Sequence, residues 1–147
     1  MPMYSKIEDE VAENLIKFYS IMHKRLISNI APASNPVSPR FKILLTLLWF
    51  GPMPSSRLGR ILNISKPHMT KLTDRLVSEN LIRKNPSTND RRVMELSITA
   101  KGRKFILSAK TKAKNLIIKN IDKLTKKDLR ELNKSLKNIN LIISKLG

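Results

Sequence analysis

Ser55-Ser56-Arg57-Leu58-Gly59-Arg60-Ile61-Leu62-Asn63-Ile64-Ser65-Lys66-Pro67-His68-Met69-Thr70-Lys71-Leu72 reads as two short helices around a tight turn. A basic hairpin follows at once. Leu81-Ile82-Arg83-Lys84 forms one arm, a polar loop ends in Asn89-Asp90-Arg91-Arg92, and Val93 to Ile98 returns as the second arm. A helix fits the width of a major groove, and an Arg-tipped hairpin beside it can reach a minor groove. The combination implies a DNA reader.

On a helix over residues 65–80, Met69, Leu72 and Leu76 point to one side, into a core. Pro67, Lys71, Asp74 and Ser78 centre the opposite side, flanked by His68, Thr70 and Arg75. Lys71 and Arg75 are suited to guanine O6/N7 or to phosphates, Thr70 and Ser65 to phosphates or a base, and His68 to an acceptor. Arg57, Lys66 and Lys84 complete the candidate contacts from this region. At the hairpin tip, Asp90 is expected to fix one neighbouring guanidinium by a charge-assisted bond, leaving the other to extend. An arginine so placed suits a narrow, electronegative A·T minor groove.

Helices are expected on either side. Ile7, Val11, Leu15, Phe18, Met22 and Leu26 recur at helical spacing, predicting a helix from about Lys6 to Ala31 before Pro32, Pro36 and Pro39 break the pattern. Ser38-Pro39 opens a second helix, with Phe41, Leu44, Leu45 and Leu48 inward, that Gly51-Pro52 ends. The helix from Ser55 to about Asn63 contains Gly59, read as a site where a neighbouring helix packs closely. The next opens at Ser65 or Lys66, because Pro67 disfavours helical geometry at the residue before it. After the hairpin, Thr99 caps a helix to about Ile121, striped by Ile106, Ala109, Ala113, Leu116 or Ile117, and Ile121. Thr125 and Asp128 make a capping box, with Leu124 and Leu129 as its staple. The final helix then carries a heptad seam of Leu129, Leu132, Leu136, Ile139, Ile143 and Leu146, suited to packing on another helix.

The bulk properties agree. The 147 residues are 41% hydrophobic and suffice for one cored domain. A net charge of +18 points to a polyanionic partner, since counterion release rewards each cation placed on a phosphate. The charge is zero over residues 1–32, +5 over 33–80, +3 over 81–102 and +10 over 103–147. The absence of cysteine excludes disulfides, thiol redox sensing and Cys-ligated zinc. Met1-Pro2-Met3-Tyr4 and the acidic residues after it do not read as a signal peptide. The longest apolar stretch, Ile43 to Phe50, is far short of the roughly 20 residues a membrane helix needs. The expectation is a cytoplasmic protein without a membrane partner.

Ile64-Ser65 through Leu81-Ile82, Asn89-Asp90-Arg91-Arg92, and Ile98-Thr99-Ala100-Lys101-Gly102 closely resemble the multiple-antibiotic-resistance regulator (MarR) family, and the order of elements does so over essentially the whole chain. The resemblance implies a mainly α fold with a small β-hairpin wing, a winged helix-turn-helix domain plus a helical dimerisation region. In that division residues 1–37 form an N-terminal dimerisation helix, 38–100 the DNA-binding domain and 101–147 the C-terminal dimerisation helices. It implies a homodimeric, ligand-responsive repressor on a near-palindromic operator in double-stranded DNA. Arg92 would enter the minor groove and Arg91 its flanking backbone. A small aromatic or amphipathic effector would sit near His23, Arg40 and Trp49, in a crevice between the first two helices and the reading head. Two departures stand out: Pro67 is unusual inside a first turn, and Gly59 occupies a position usually held by Ala.

Catalysis is not expected. The four glycines are never closer than eight residues, so no phosphate-cradling loop of the usual types exists. There is no Ser-centred elbow or HExxH, and His23 and His68 lie on different segments without metal-ligand partners. No cofactor or metal is implied. The alternative reading is an architectural, broadly binding DNA protein, its affinity supplied by the +10 C-terminal region. Anionic membrane binding by the Lys-rich helix after the hairpin is the third reading, set below the others by the heptad seam that follows it.

Overall fold

Ser38 and Pro39 start the central helix as the sequence predicts. The Ser38 side chain accepts from the Phe41 N–H at 3.3 Å, and proline occupies the first turn, where its missing N–H costs nothing. This helix, α2, spans Pro39–Phe50, and Gly51 ends it at φ 78°, a left-handed conformation that suits glycine. The computed structural model describes residues 3–147. Met1 and Pro2, with which the sequence read against a signal peptide begins, lie outside the described residues.

In chain order the elements are α1 (Lys6–Met22), a π-helical turn (His23–Ile27), a short 3-10 turn (Pro32–Ser34), α2, α3 (Ser55–Leu62) and α4 (Lys66–Ser78). Then come β1 (Ile82–Pro86), β2 (Met94–Ile98), α5 (Ala100–Asn120), α6 (Lys126–Ile143) and a last 3-10 turn (Ser144–Leu146). The fold is mainly α with one small hairpin, as expected. The first helical stretch ends at Ile27 rather than Ala31, its last five residues widened into π form. The extended geometry required before Pro32 already excludes Ala31 from it. β2 begins at Met94, one residue later than predicted, because Val93 is used in the loop: its N–H donates to the Asp90 carbonyl and its carbonyl accepts from Ser87.

Two compact units are distinguished. One, Ile27–Asn115, holds a continuous core of Phe41, Ile43, Leu44, Leu47, Met53, Leu58, Met69, Leu76, Leu81, Ile82, Leu96, Ile106 and Ala109. On α2 the inward residues include Ile43 and Leu47, whereas Leu45 and Leu48, expected inward, are half-buried. The helix is apolar nearly all round and passes through the middle of this unit, so a single-sided pattern understates its burial. β1 and β2 pair antiparallel from Ile82 opposite Ile98 to Pro86 opposite Met94. Met53, in the turn after α2, adds a bridge to Leu96 with N–H···O distances of 3.1 and 2.8 Å. That bridge fixes the hairpin to the turn between α2 and α3.

The other unit joins the N-terminal segment through Leu26 to Leu116–Gly147. The division therefore falls inside α5, because Gly102, Ile106, Ala109 and Ala113 in its first turns are buried within the Ile27–Asn115 unit. Both long helices of the terminal unit have reciprocal caps. Ser5 and Glu8 cap α1, and Thr125 and Asp128 cap α6 as predicted, with Asp128 N–H on the Thr125 hydroxyl at 3.1 Å. The Asn120 side-chain amide donates to the Leu26 carbonyl at 3.1 Å. The apolar stripes follow the helices as expected except at Leu146, which lies beyond α6 in the last 3-10 turn and is 84% exposed. The stripes are only partly covered, since neither α1 nor α6 buries a residue and Ile7, Val11, Leu15, Leu136 and Ile143 stay between 38% and 63% exposed.

Candidate nucleic-acid interface

α3 and α4 form a tight pair because Gly59 lets them approach. A Cβ there would lie 3.0 Å from Met69 Cγ and 3.1 Å from the Ile64 carbonyl oxygen, which is the packing role read from the sequence. Asn63 ends α3 in the left-handed region at φ 53°, a conformation asparagine tolerates better than most residues, and Ser65 becomes the N-cap of α4. Pro67 fits inside the first turn of α4. Ser65 makes no capping bond with its side chain.

The inward side of α4 is Met69, Thr73 and Leu76, with Leu72 half-buried. Thr73 was not anticipated there. Its hydroxyl donates to the Met69 carbonyl at 2.8 Å, which satisfies it in the core, and only its i+4 spacing from Met69 hints at burial. Ser65, Lys66, His68, Thr70, Lys71 and Arg75 are all exposed, on the outward side or its flanks. Thr70 donates its hydroxyl to the Lys66 carbonyl at 3.0 Å. Beside this surface lies a groove of about 1070 Å³, lined among others by Ser56, Arg60, Ser65, Lys66, Thr70 and Lys84. Arg60 also belongs to this cationic lining, a position that only the packing of α3 on α4 reveals. Arg57, a candidate contact from the sequence, is exposed on α3 but does not line the groove.

Two ion pairs brace α4. Lys84 Nζ on β1 reaches Asp74 Oδ1 at 2.8 Å, tying the hairpin to the outward face of the helix. Glu79, at the end of α4, is shared: Arg40 of α2 bonds Oε2 and Arg75 bonds Oε1 at 3.2 Å. The Arg40 hydrogen bond above all holds the Glu79 carboxyl below its usual range, against the opposing effect of burial. Lys84 and Arg75 thus carry internal partners as well as facing solvent.

The C-terminal end of α4 is locked to α5 by the Thr99-Ala100-Lys101-Gly102 stretch. The Thr99 hydroxyl donates to the Asn80 carbonyl at 2.6 Å and accepts from the Gly102 N–H at 2.9 Å, and Lys101 Nζ donates to the Glu79 carbonyl at 3.0 Å. Thr99 therefore caps α5, as expected. Gly102 is obligatory in this packing, since a Cβ would stand 2.0 Å from the Leu81 carbonyl oxygen.

At the hairpin tip the expected Asp90–guanidinium bond is replaced by a different one. Asp90 Oδ1 accepts the backbone N–H of Arg92 at 3.0 Å, forming an Asx turn, and Ser87, which is buried, accepts from Asn89 N–H at 3.2 Å. A short aspartate reaches the N–H two residues on more readily than a neighbouring guanidinium that projects outward. Among the described residues the guanidiniums of Arg91 and Arg92 have no partner, and both residues are exposed.

Of the three effector candidates, Arg40 and Trp49 lie in the Ile27–Asn115 unit and His23 in the terminal unit. His23, in the terminal unit, stacks on Tyr19 at 6.2 Å between ring centroids. Arg40 is committed to Glu79 and lies 5.0 Å over the Phe105 ring. Trp49 is 60% exposed with Lys110 Nζ 5.6 Å above its ring. Arg40 and Trp49 are nine residues apart on α2, roughly 13 Å along its axis. Among the described residues no cluster of His, Cys, Asp and Glu could hold a metal ion, and no helix is long and apolar enough to cross a membrane.

Residues 38–94, from the cap of α2 to the start of β2, match the MarR family. A curated relative, the uncharacterized HTH-type transcriptional regulator YpoP of Bacillus subtilis (strain 168), is 33% identical over 92 residues, 63% of this chain. The match spans 65% of that relative's length. Among solved structures, the transcriptional regulator BldR from Sulfolobus solfataricus has a TM-score of 0.70 at 20% identity, covering 97% of this chain and 99% of its own. Apo MarR from E. coli has a TM-score of 0.70 at 18% identity, over 87% and 95% of the two chains. A mutant MarR from E. coli complexed with operator DNA has a TM-score of 0.60 at 19% identity, over 92% and 99%. These structures share the winged-helix fold with this chain.

Proposed function

We propose that this chain, whose residues 38–94 are a MarR family domain, is a transcriptional regulator that binds double-stranded DNA as a homodimer. The observation that carries the reading is the pairing of an exposed, cationic first half of α4 with a hairpin tip whose two arginine side chains have no partner among the described residues. The helix enters a major groove through Ser65, Lys66, His68, Thr70 and Lys71, and Arg75 reaches the backbone. Arg92 enters the adjoining minor groove, with Arg91 on its flank. Arg57 and Lys84 add backbone contacts from α3 and β1. The protein acts by binding and not by catalysis, and the proposal carries with it a cytoplasmic location, where DNA is reachable.

The exposed stripes of α1 and α6 support the homodimer, since Ile7, Val11, Leu15, Leu136 and Ile143 are only partly covered by the described residues of the same chain. On this reading residues 1–37 and 101–147 supply the dimer contacts and 38–100 read DNA. Two heads related by a twofold axis meet successive major grooves about 34 Å apart, which calls for a near-palindromic operator. Repression released by an effector follows if a small aromatic or amphipathic molecule favours one head spacing over another. His23, Arg40 and Trp49 remain the residues proposed for it. Trp49 is the only tryptophan in the chain, so its fluorescence reports occupancy directly.

The test is fluorescence anisotropy of the chain on its own upstream DNA and on a scrambled duplex, across a salt series. A specific regulator keeps a preference of roughly 10³-fold or more near physiological salt. Equal affinities that fall steeply with salt support the architectural reading instead, for which the +10 charge of residues 103–147 is the favouring observation. Sedimentation equilibrium measures the dimer separately, and a monomer at micromolar concentration refutes it.

A further inference from the structure

Arg75 lies on the flank of the proposed recognition helix with its side chain 75% exposed, yet it points along its own helix to Glu79. Glu79 is not an ordinary i+4 partner. Its side chain is only 32% exposed, and its other carboxylate oxygen is claimed by Arg40 from α2, whose side chain is 25% exposed. Arg40 is itself fixed from behind by the Phe105 ring, and its Nε is buried with no hydrogen-bond partner among the described residues. Lys101 holds the Glu79 backbone carbonyl. The carboxylate is therefore bonded to one cation that is largely buried against Phe105 and to another that is mostly exposed.

We infer that Glu79 is a positioning residue that sets how readily Arg75 leaves for a DNA phosphate, with Arg40 tuning its hold by competing for the same carboxylate. The inference rests on the DNA-binding reading above. With Arg40 in place, much of the Glu79 charge is already neutralised, so Arg75 is held loosely and an approaching phosphate is repelled weakly. Without Arg40 the full carboxylate charge acts on Arg75 and on the phosphate together. Without the carboxylate, Arg75 is released. Because phosphate contacts carry no sequence information, the device sets affinity on every sequence and leaves the preference between sequences alone.

The experiment measures binding of the full-length chain to a short duplex of its upstream DNA and to the scramble, for wild type, Glu79→Gln and Arg40→Gln. Each is made with and without Arg75→Gln, and circular dichroism melts confirm folding. Glu79→Gln is expected to tighten binding to both duplexes by about twofold per subunit, hence about fourfold for two subunits, and Arg40→Gln to weaken it by a similar factor. Both differences should shrink markedly once Arg75 is glutamine, leaving only the direct repulsion between the carboxylate and the phosphate. If they persist undiminished in that background, net charge alone explains them and the inference is overturned. Both single variants shifting affinity in the same direction would mean that the network only supports the fold, which also overturns it. A wild-type chain that binds neither duplex sinks the DNA reading itself, an outcome distinct from either of these.

Discussion

Substituting alanine at the two helical glycines, Gly59 and Gly102, should give opposite kinds of result, and the reason is which atom each Cβ would meet. At Gly102 the new Cβ would stand 2.0 Å from the Leu81 carbonyl oxygen and 2.9 Å from Ile98 Cγ1, and ordinary contact begins at 3.4 Å. Neither neighbour is a free side-chain end. The Leu81 carbonyl already accepts the Thr99 N–H at 3.1 Å and its hydroxyl at 3.2 Å, so moving it breaks the junction that locks α5 to the end of α4. Overpacking costs about 1–3 kcal/mol and each lost hydrogen bond about 1 kcal/mol, against a helix-propensity gain of about 1 kcal/mol for alanine. A net destabilisation of about 2–4 kcal/mol is expected for Gly102→Ala. At Gly59 the nearest atom is Met69 Cγ at 3.0 Å, part of a flexible side chain, with the Ile64 carbonyl at 3.1 Å. A shift of a few tenths of an ångström relieves both, so Gly59→Ala should stay within about 1 kcal/mol of wild type. Urea denaturation followed by circular dichroism, at one protein concentration to hold any dimerisation constant, gives both values. Gly102→Ala as stable as wild type would refute the close-approach argument.

Arg92→Ala should weaken DNA binding by about 1–3 kcal/mol in anisotropy; unchanged affinity would remove the wing from the proposed interface. The triple change Lys110, Lys112 and Lys114 to Gln should lower affinity at low salt but keep the preference between upstream and scrambled duplexes, and a lost preference would overturn the assignment of reading to α4 and the wing. The folded-state pKa of Glu79 is depressed, so its ion pairs contribute stability that is present above the unfolded carboxylate range and lost as pH falls through the folded value. Acid unfolding should therefore be shallower in that range for Glu79→Gln than for wild type, and identical profiles would deny the shift. Thr125→Ala removes the cap of α6 and should cost about 0.5–2 kcal/mol in thermal or urea unfolding.

Local chemistry was legible wherever one short stretch carries its own reason. Ser38-Pro39, Thr125 with Asp128, and Thr99 each cap the helix predicted of them, because a side chain and an N–H three residues away need no distant partner. The periodicity of Ile7 to Leu26 and of Leu129 to Ile143 follows the helices, since side-chain direction repeats with helix pitch, and it fails at Leu146 where the 3-10 turn changes that pitch. The outward face of α4 followed from the same rule, together with the type of residue able to meet a phosphate or a base edge. Which of those cations stand free did not. Lys84 and Asp74 are ten residues apart, and Arg40 and Glu79 thirty-nine, so their pairing exists only once β1 folds back on α4 and α2 crosses its end. The burial of Thr73, Ile43 and Leu47, the Met53–Leu96 bridge and the contact of Gly102 with the Leu81 carbonyl have the same origin. The sequence by itself determined the helices, their caps and the cationic hairpin, because those depend on neighbours three or four positions away. The tertiary structure decided which charges neutralise one another and which remain for a partner, because that depends on residues brought together across the fold.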